Sequence, residues 1–386
     1  MKKYLVAVSV LLILFGGTVC AHSAEFTMIE EGSALVNGTL IDGTGRAPLP
    51  DAVVLIEGDR ITAVGTRSTV DVPKRFRIVD ARGGTILPGI INAHVHALCR
   101  EGAYLSWAEA GVTTVRDLMA CPFDKDFAIR DRVNRNPLNA RVVMAGPQMT
   151  SIGGFAPAPE YNIYVRSNED AIVQAERIIK EGADQLKILL DSTEELPLLS
   201  PEIVRAIVET GHKRGKRISA HVSLSRDAEL ALTAGCDDLA HMVVDELPVG
   251  LAKRMADSGI LWIPTIEVRM ATARGRNVIK NLRKFVEAGG RVALGTDYSE
   301  YFAEFEMGIP LKEMEWMREA GMTPMQIIVA STGNAAEACG LRDKTGTVEA
   351  GKLADLIIVG DDPLKDLKTL KHVRIVMHSG IIVRQD

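Results

Sequence analysis

The sequence predicts an α/β protein, namely a (β/α)₈ TIM barrel with a small β-sandwich domain formed by the two ends of the chain. Between about residues 86 and 339, eight short apolar runs alternate with amphipathic helical segments. Residues 25–85 and 340–386 instead carry short β-branched runs separated by Gly and Asp turns. An open, doubly wound sheet is the alternative architecture, and the number of strand segments favours the barrel.

The strand segments each end close to a polar residue or a turn. In chain order they are GIINAHVH, VTTVRDL, ARVVMAG, QLKILL, RISAHVS, DLAHMV, LWIPTI and RVALGTD. Glycines that suit the left-handed position after a helix precede five of the segments, namely Gly111, Gly182, Gly235, Gly259 and Gly289. Ser200 before Pro201 and Thr323 before Pro324 are typical helix starts.

The first 24 residues are predicted to be a signal peptide and no part of the fold. Lys2 and Lys3 precede an apolar run from residue 4 to 15, and small residues follow it. The apolar run is shorter than the roughly 20 residues that span a bilayer. We therefore expect a periplasmic or secreted protein with no membrane association after cleavage. A retained anchor, or a lipoprotein attached through Cys20, is the alternative.

Composition narrows the classes of partner and the role of cysteine. The 386 residues carry a net charge of −5 and show no basic patch, which argues against nucleic-acid binding. Four cysteines follow the predicted cleavage site, and none belongs to a Cys-x-x-Cys pair: Cys99, Cys121, Cys236 and Cys339. An oxidising compartment permits a Cys99–Cys121 disulfide, and free buried thiols are the alternative. A homo-oligomer is compatible with the composition.

The segment GIINAHVH places two histidines inside an apolar strand. Because successive strand side chains point to opposite faces, His94 and His96 share one face. In a barrel strand they would point inward near the carboxyl end, where barrel active sites lie. Such a pair can chelate one metal ion, and two hydrogen-bonded core histidines are the alternative.

Four further strands add one residue each of a metal-binding type or of an unusual buried type. Lys187 lies in the fourth strand, His221 in the fifth, His241 in the sixth, and Asp297 ends the eighth. Each residue alone has an ordinary structural explanation, such as a core histidine or a turn aspartate. Together with the histidine pair, they place six such side chains at the same end of one barrel.

This order of residues on this fold resembles the amidohydrolase superfamily of metal-dependent hydrolases. The segments GTILPGIINAHVHA and TGTVEAGKLADLIIVGDDP are also typical of that family, so the resemblance covers nearly the whole mature chain. The nearest branch is that of imidazolonepropionase-like proteins and prolidase-type exopeptidases. Prolidase-type relatives often have a Gly-His-Gly-like segment after the third strand, whereas this chain has SIGGFAPAPEY.

The resemblance implies a binuclear metal site. One divalent ion would be bound by His94, His96 and Asp297, and a second by His221 and His241. Lys187 would be carboxylated and bridge the two ions. A water between the ions would be the nucleophile, as a bridging hydroxide, with Asp297 as general base and then acid. Zinc fits these ligands best, and manganese, cobalt or iron would fit as well.

The implied reaction is hydrolysis of an amide-type carbon–nitrogen bond in a peptide, an N-acyl amino acid or a cyclic amide. A mononuclear ring deaminase and a lactone or ester hydrolase are the alternatives, and Lys187 favours the binuclear hydrolase. The substrate would be a small molecule or a short peptide. The loop of residues 146–170 is expected to form a substrate wall. Candidate substrate contacts in this loop and after Asp297 are Tyr161, Tyr164, Arg166 and Tyr298.

Overall fold

The computed structural model describes residues 32–96, 101–119, 125–270, 275–299 and 307–386. The predicted signal peptide and Cys20, Cys99 and Cys121 lie outside the described residues, so their roles stay predictions. Cys236 and Cys339 are buried free thiols. Within the described ranges, none of the helices combines the length and the apolar character that crossing a bilayer requires.

Strands make up both the centre of the barrel and the smaller domain. The described part of the chain contains these strands: β1 Ser33–Leu40, β2 Leu49–Glu57, β3 Arg60–Thr66, β4 Arg77–Asp80, β5 Thr85–Pro88, β6 Ile90–His96, β7 Val112–Asp117, β8 Arg141–Met144, β9 Gln148–Ser151, β10 Asn162–Val165, β11 Leu186–Leu190, β12 Ile218–Val222, β13 Asp238–Ala240, β14 Leu261–Ile263, β15 Arg291–Val292, β16 Tyr298–Ser299, β17 Leu356–Val359, β18 Val373–His378 and β19 Ile381–Gln385.

Helices follow the barrel strands along the chain. The α-helices of the described residues are α1 Glu101–Glu109, α2 Lys125–Arg135, α3 Asn168–Glu181, α4 Pro201–Lys213, α5 Ser225–Ala234, α6 Val249–Ser258, α7 Ile266–Met270, α8 Val278–Glu287, α9 Leu311–Glu319, α10 Pro324–Ala330 and α11 Gly333–Ala338. The predicted starts of α4 and α10 are confirmed, because Ser200 and Thr323 accept hydrogen bonds from backbone N–H groups of the first turn. The five predicted glycines all have positive φ.

Eight parallel strands follow one another around the centre of the molecule. Strands β6, β7 and β8 pair in parallel, and so do β11 to β15 in chain order. A parallel bridge between Ala145 and Gln185 links β8 to β11. At the other seam, the Ala93 N–H donates to the Leu294 carbonyl (2.8 Å) and links β6 to the continuation of β15. The predicted α/β class is confirmed, and these two links between the parallel sheets are consistent with the predicted eight-stranded barrel.

Three described strands near the barrel mouth were not predicted. Strands β9 and β10 lie within the long loop that follows β8, and β9 pairs with β11 through Met149 and Ile188. Strand β16 pairs with β6 just after Asp297. The pairings of β9 and β10 give the loop of residues 146–170 a fixed position beside the carboxyl ends of the barrel strands.

Both ends of the chain contribute strands to one β-sheet, and its status as a separate β-sandwich domain stays a prediction. Its strands form a continuous sheet in the order β19-β18-β17-β5-β1-β2-β3, with β4 beside β1. Strand β5 joins the two ends, because it pairs in parallel with β1 and antiparallel with β17. Ile61 donates its N–H to the Lys352 carbonyl (2.9 Å), so the edge strand β3 is hydrogen-bonded to the segment that precedes β17.

A buried carboxylate connects this sheet to the barrel. Asp355 is fully buried and accepts a hydrogen bond from the Arg141 guanidinium at the start of β8 (2.7 Å). It also accepts hydrogen bonds from the Thr345 hydroxyl (2.9 Å) and the Ser379 N–H (2.8 Å). Since every oxygen of this carboxylate has a partner, the contact can hold the two parts at a fixed distance from each other.

A second buried ion pair lies inside the barrel. The Arg116 guanidinium on β7 donates to both oxygens of Asp238 on β13 (2.9 and 3.1 Å), and both side chains are fully buried. Arg116 also donates to the Ala93 carbonyl (2.6 Å) and to the Ala338 carbonyl (3.0 Å). The Arg116 side chain therefore connects its own strand, β7, to β6, to β13 and to the end of α11.

We expect Asp238→Asn to lower the free energy of unfolding by about 3–5 kcal/mol, because the buried Arg116 charge loses its counter-ion. Urea denaturation measures this change. Asp257→Asn is the control, since Asp257 pairs with Lys253 on the exposed face of α6, and there we expect less than about 1 kcal/mol. Equal effects of the two substitutions would contradict the role assigned to the Arg116–Asp238 pair.

Candidate metal centre

The first and last barrel strands meet at the carbonyl of His94. The N–H groups of Thr296 and Asp297 both donate to this oxygen (3.2 and 2.9 Å). The Asn92 side chain fixes the junction, donating to the Thr296 hydroxyl (2.8 Å) and accepting from the Thr296 N–H (3.2 Å). Asp297 has a φ of +61°, a left-handed conformation that Asp tolerates better than most residues. The backbone thus brings Asp297 to the strand that carries the histidine pair.

His94, His96 and Asp297 form a compact cluster of ligand atoms. The Asp297 Oδ1 atom lies 3.1 Å from the His94 Nε2 atom and 3.0 Å from the His96 Nε2 atom. One potential ligand atom from each of the three residues lies within 4.8 Å of the other two. Two imidazoles and one carboxylate are a donor set that suits a divalent transition-metal ion.

His221 and His241 lie beside this cluster. The centroid of the His241 ring is 4.8 Å from that of His94 and 4.4 Å from that of His221. The Nδ1 atom of His241 is 2.8 Å from the Thr265 hydroxyl, and the Nε2 atom of His221 is 3.3 Å from the Asp191 carboxylate. Each ring therefore has one hydrogen-bonded nitrogen and a second nitrogen that can face a metal ion.

Lys187 is the buried side chain that most needs a partner. It is 1 % exposed on β11, and its Nζ atom has no hydrogen-bond partner among the described residues. Burial lowers the pKa of this amine to about 7, although the Asp238 charge opposes the shift. A neutral amine in this position could be converted into a carbamate, whose oxygens would be ligands. The donor set therefore suits divalent metal ions.

Burial also sets the protonation of the other ligands. It lowers the pKa of His94 to about 3 and that of His221 to about 4, and it holds the pKa of His241 well below the ordinary value. Burial opposes ionisation of Asp297, but the adjacent imidazoles hold its pKa well below the usual range. Near neutral pH these three imidazoles are therefore neutral and the Asp297 carboxylate is ionised, which are the forms that bind metals.

All six predicted ligands line one cavity of about 580 Å³ at the carboxyl ends of the barrel strands. Of the four predicted substrate residues, Tyr161 lines this cavity, whereas Tyr164, Arg166 and Tyr298 do not. Tyr164 is 38 % exposed on β10. Arg166 is also exposed, just past the end of β10, where its backbone N–H donates to Asp170 (2.9 Å).

The position of Tyr298 follows from strand alternation. Tyr298 pairs with Val95, whose side chain points away from the histidines, and the Tyr298 ring lies 5.2 Å from that of Trp107. Ser299 pairs with His96 and lines the cavity in its place. Strand alternation counted onward from Asp297 would have placed Ser299, and not Tyr298, on the side of the cavity. That count requires residues 298–299 to form a strand, and their pairing with β6 cannot be read from the sequence.

Other residues of the cavity wall were not predicted from the sequence. Phe155 places its ring 4.9 Å from that of His221. Arg269 on α7 donates to the Val222 carbonyl (3.0 Å) and to the Ser223 hydroxyl (3.1 Å). The unpredicted lining residues that are polar are Gln148, Glu160, Arg269 and Ser299. His212 lies on the surface, away from this cavity, and pairs with Asp237 (2.9 Å).

Comparison with known proteins agrees with the fold. The model of the amidohydrolase family matches residues 85–383. Ochratoxinase from Aspergillus niger is 27% identical over 413 aligned residues, which cover 88% of this chain and 84% of that protein. Imidazolonepropionase from Symbiobacterium thermophilum is 24% identical, with 87% and 88% covered.

Solved structures show the same fold. A Xaa-Pro dipeptidase with methionine bound in its active site has a TM-score of 0.79 and 24% identity. The match covers 91% of this chain and 99% of the dipeptidase. Because the family model extends over most of the chain, it decides the assignment independently of these individual relatives. The chain therefore belongs to the amidohydrolase family of hydrolases.

Proposed function

We propose that this enzyme is a binuclear metal-dependent hydrolase that cleaves an amide-type carbon–nitrogen bond in a peptide, an N-acyl amino acid or a cyclic amide. The observation that carries the proposal is Lys187, a buried amine without a hydrogen-bond partner in the described residues, which lines one cavity with four histidines and Asp297. The similarity to proteins named ochratoxinase, imidazolonepropionase and Xaa-Pro dipeptidase supports an amide-type substrate.

Five of the six proposed ligands would divide into two sets, and the sixth, Lys187, would serve both. His94, His96 and Asp297 would hold one ion, and His221 and His241 would hold a second. Zinc is the proposed metal, and manganese, cobalt or iron would suit the same donors. When bound, two such ions supply a Lewis acid for the substrate carbonyl and lower the pKa of a water molecule from about 15.7 toward about 7.

Lys187 would act as a carbamate. Its neutral amine attacks the carbon of CO₂, a proton is released, and the product is an anionic group with two oxygen atoms. The lowered pKa of Lys187 provides the neutral amine that this step requires. The conversion replaces a buried cation, which two metal ions would repel, with an anion that they attract.

Asp297 would move the proton during hydrolysis. Its carboxylate lies against the two histidines of β6, and its Oδ2 atom is 3.9 Å from the His241 Nδ1 atom. From this position it can accept a proton from the attacking water and deliver it to the nitrogen of the leaving amine. A single carboxylate can therefore serve as general base and then as general acid.

Export is proposed from the sequence of residues 1–24. A basic start, an apolar run and small residues favour a cleaved signal peptide and a periplasmic or secreted enzyme. A lipid-anchored form modified at Cys20 is the alternative. Fractionation of expressing cells and N-terminal sequencing of the mature chain distinguish the two.

Metal binding should stabilise the fold. At a free zinc concentration of 100 times Kd, each occupied site should add about 2.7 kcal/mol to the free energy of unfolding. Thermal unfolding of the chelator-treated protein, with and without zinc, measures this gain. His94→Ala should lose the gain from the site that it is proposed to form with His96 and Asp297, whereas the surface variant His212→Ala should keep the full gain. Identical behaviour of both variants would contradict the assignment of His94 as a ligand.

Hydrolysis can be tested with a panel of N-acyl amino acids, dipeptides, lactams and lactones. We expect hydrolysis of at least one amide, loss of activity after chelation, and recovery with zinc or manganese. Lys187→Ala should lose the second ion and most of the activity. Release of ammonia from an amino-substituted ring, with activity that survives Lys187→Ala, would instead indicate a mononuclear deaminase.

Asp297→Asn should preserve the fold and lower kcat by about 10²–10⁴, the usual contribution of a general acid–base group. Steady-state kinetics on the amide identified from the panel measures this effect. Because Asp297 is also a proposed ligand, the metal content of the variant has to be determined in parallel. A variant that keeps both ions and the full kcat would rule out the proton-transfer role.

A further inference from the structure

A buried carboxylate beside the metal centre has no role in the mechanism above. Asp191 follows β11 directly and is only 4 % exposed. Its Oδ2 atom lies 3.3 Å from the His221 Nε2 atom and accepts a hydrogen bond from the Ser223 hydroxyl (2.7 Å). Its Oδ1 atom accepts the Thr193 N–H (2.9 Å). The carboxylate is thus held on one side by the chain after β11 and on the other by residues of β12 and its loop.

The roles of donor and acceptor fix the proton of His221. An ionised carboxylate only accepts hydrogen bonds, so a hydrogen bond from His221 requires the proton on the Nε2 atom. The Ser223 hydroxyl donates to Asp191 and receives a hydrogen bond from the Arg269 guanidinium (3.1 Å). Since Ser223 uses its hydrogen for Asp191, it cannot donate a second one to His221. The Nδ1 atom of His221 is then the nitrogen with a free lone pair.

We propose that Asp191 is a positioning residue that fixes His221 as the Nε2–H tautomer and thereby selects Nδ1 as the ligand atom for the second metal ion. This inference rests on the proposed function. A histidine ligand that donates its other N–H to a carboxylate is both oriented and made more basic. Asp191 would do this through a side chain that itself touches no ion.

His241 provides an internal comparison. Its Nδ1 atom is 2.8 Å from the Thr265 hydroxyl, which can donate or accept and therefore selects neither tautomer. The partner of His221 differs because it is a carboxylate. The Ser223 hydroxyl, which donates to Asp191, also accepts a hydrogen bond from Arg269, a residue of the cavity wall. The network therefore continues from the ligand to the surface that a substrate would contact.

The first test is metal affinity. Zinc is titrated into the metal-free wild-type protein, Asp191→Ala and Asp191→Asn, in competition with a chromophoric chelator. We expect Asp191→Ala to bind one of the two ions about 10–100-fold more weakly and the other ion normally. The affinity of Asp191→Asn for that ion should lie between those of the wild type and Asp191→Ala, because its amide oxygen can still accept one of the lost hydrogen bonds. Asp361→Asn, an exposed substitution, is the control and should match the wild type.

The second test needs no variant at position 191. In the ¹⁵N-histidine spectrum of the metal-free wild-type protein, His221 should be the Nε2–H tautomer, with the resonance assigned by its loss in His221→Gln. The Nδ1–H tautomer, or unchanged affinity for both ions in Asp191→Ala, would overturn the inference. If the wild type binds two ions but the tautomer or the affinities differ from these expectations, the role of Asp191 is wrong and the proposed function stands. If the wild type binds no second ion, the role of Asp191 and the proposed function are both wrong.

Discussion

The carbonyl oxygen of His94 is the contact on which the rest of the site depends. It accepts the N–H groups of Thr296 and Asp297, and these hydrogen bonds join the last barrel strand to the first. The same contact therefore links the last strand of the series to the first and brings the Asp297 carboxylate to the histidine pair. Because the fold and the cluster of His94, His96 and Asp297 share this junction, a correctly folded chain has this cluster already assembled.

The energetic cost of the centre lies in the burial of its polar groups. Four histidines, a lysine and an aspartate lie at the carboxyl ends of the barrel strands. Burial keeps the imidazoles of His94, His221 and His241 neutral near pH 7 and lowers the pKa of Lys187 to about 7. Below them, Arg116 and Asp238 form a buried ion pair that satisfies both charges. Lys187 differs from Arg116, because its Nζ atom has no hydrogen-bond partner in the described ranges. The proposed carbamate on Lys187 would account for this unpaired buried amine.

Much of this could be predicted from the sequence because barrels impose strict geometry. Strand alternation puts His94 and His96 on one face, and the carboxyl-end rule puts Lys187, His221 and His241 at the same mouth. The cavity gathers all six predicted ligands, although their roles as metal ligands stay predictions.

The remainder depended on contacts between distant parts of the chain. The pairing of β16 with β6 decides that Ser299, and not Tyr298, faces the cavity. The pairing of β5 with β17 makes one continuous sheet from two ends of the chain. Asp191 and Arg269 lie outside any periodic pattern, and their relation through Ser223 exists only in the folded protein. None of these contacts leaves a local signal in the sequence.

We propose that one cavity holds two ions and that Lys187 bridges them. Anomalous diffraction at the zinc edge, from crystals of the zinc-reconstituted protein, can locate both ions. We expect two anomalous peaks, one beside His94, His96 and Asp297 and one beside His221 and His241, with carbamate density on Lys187 between them. A single peak with an unmodified Lys187, or no peak in this cavity, would contradict it.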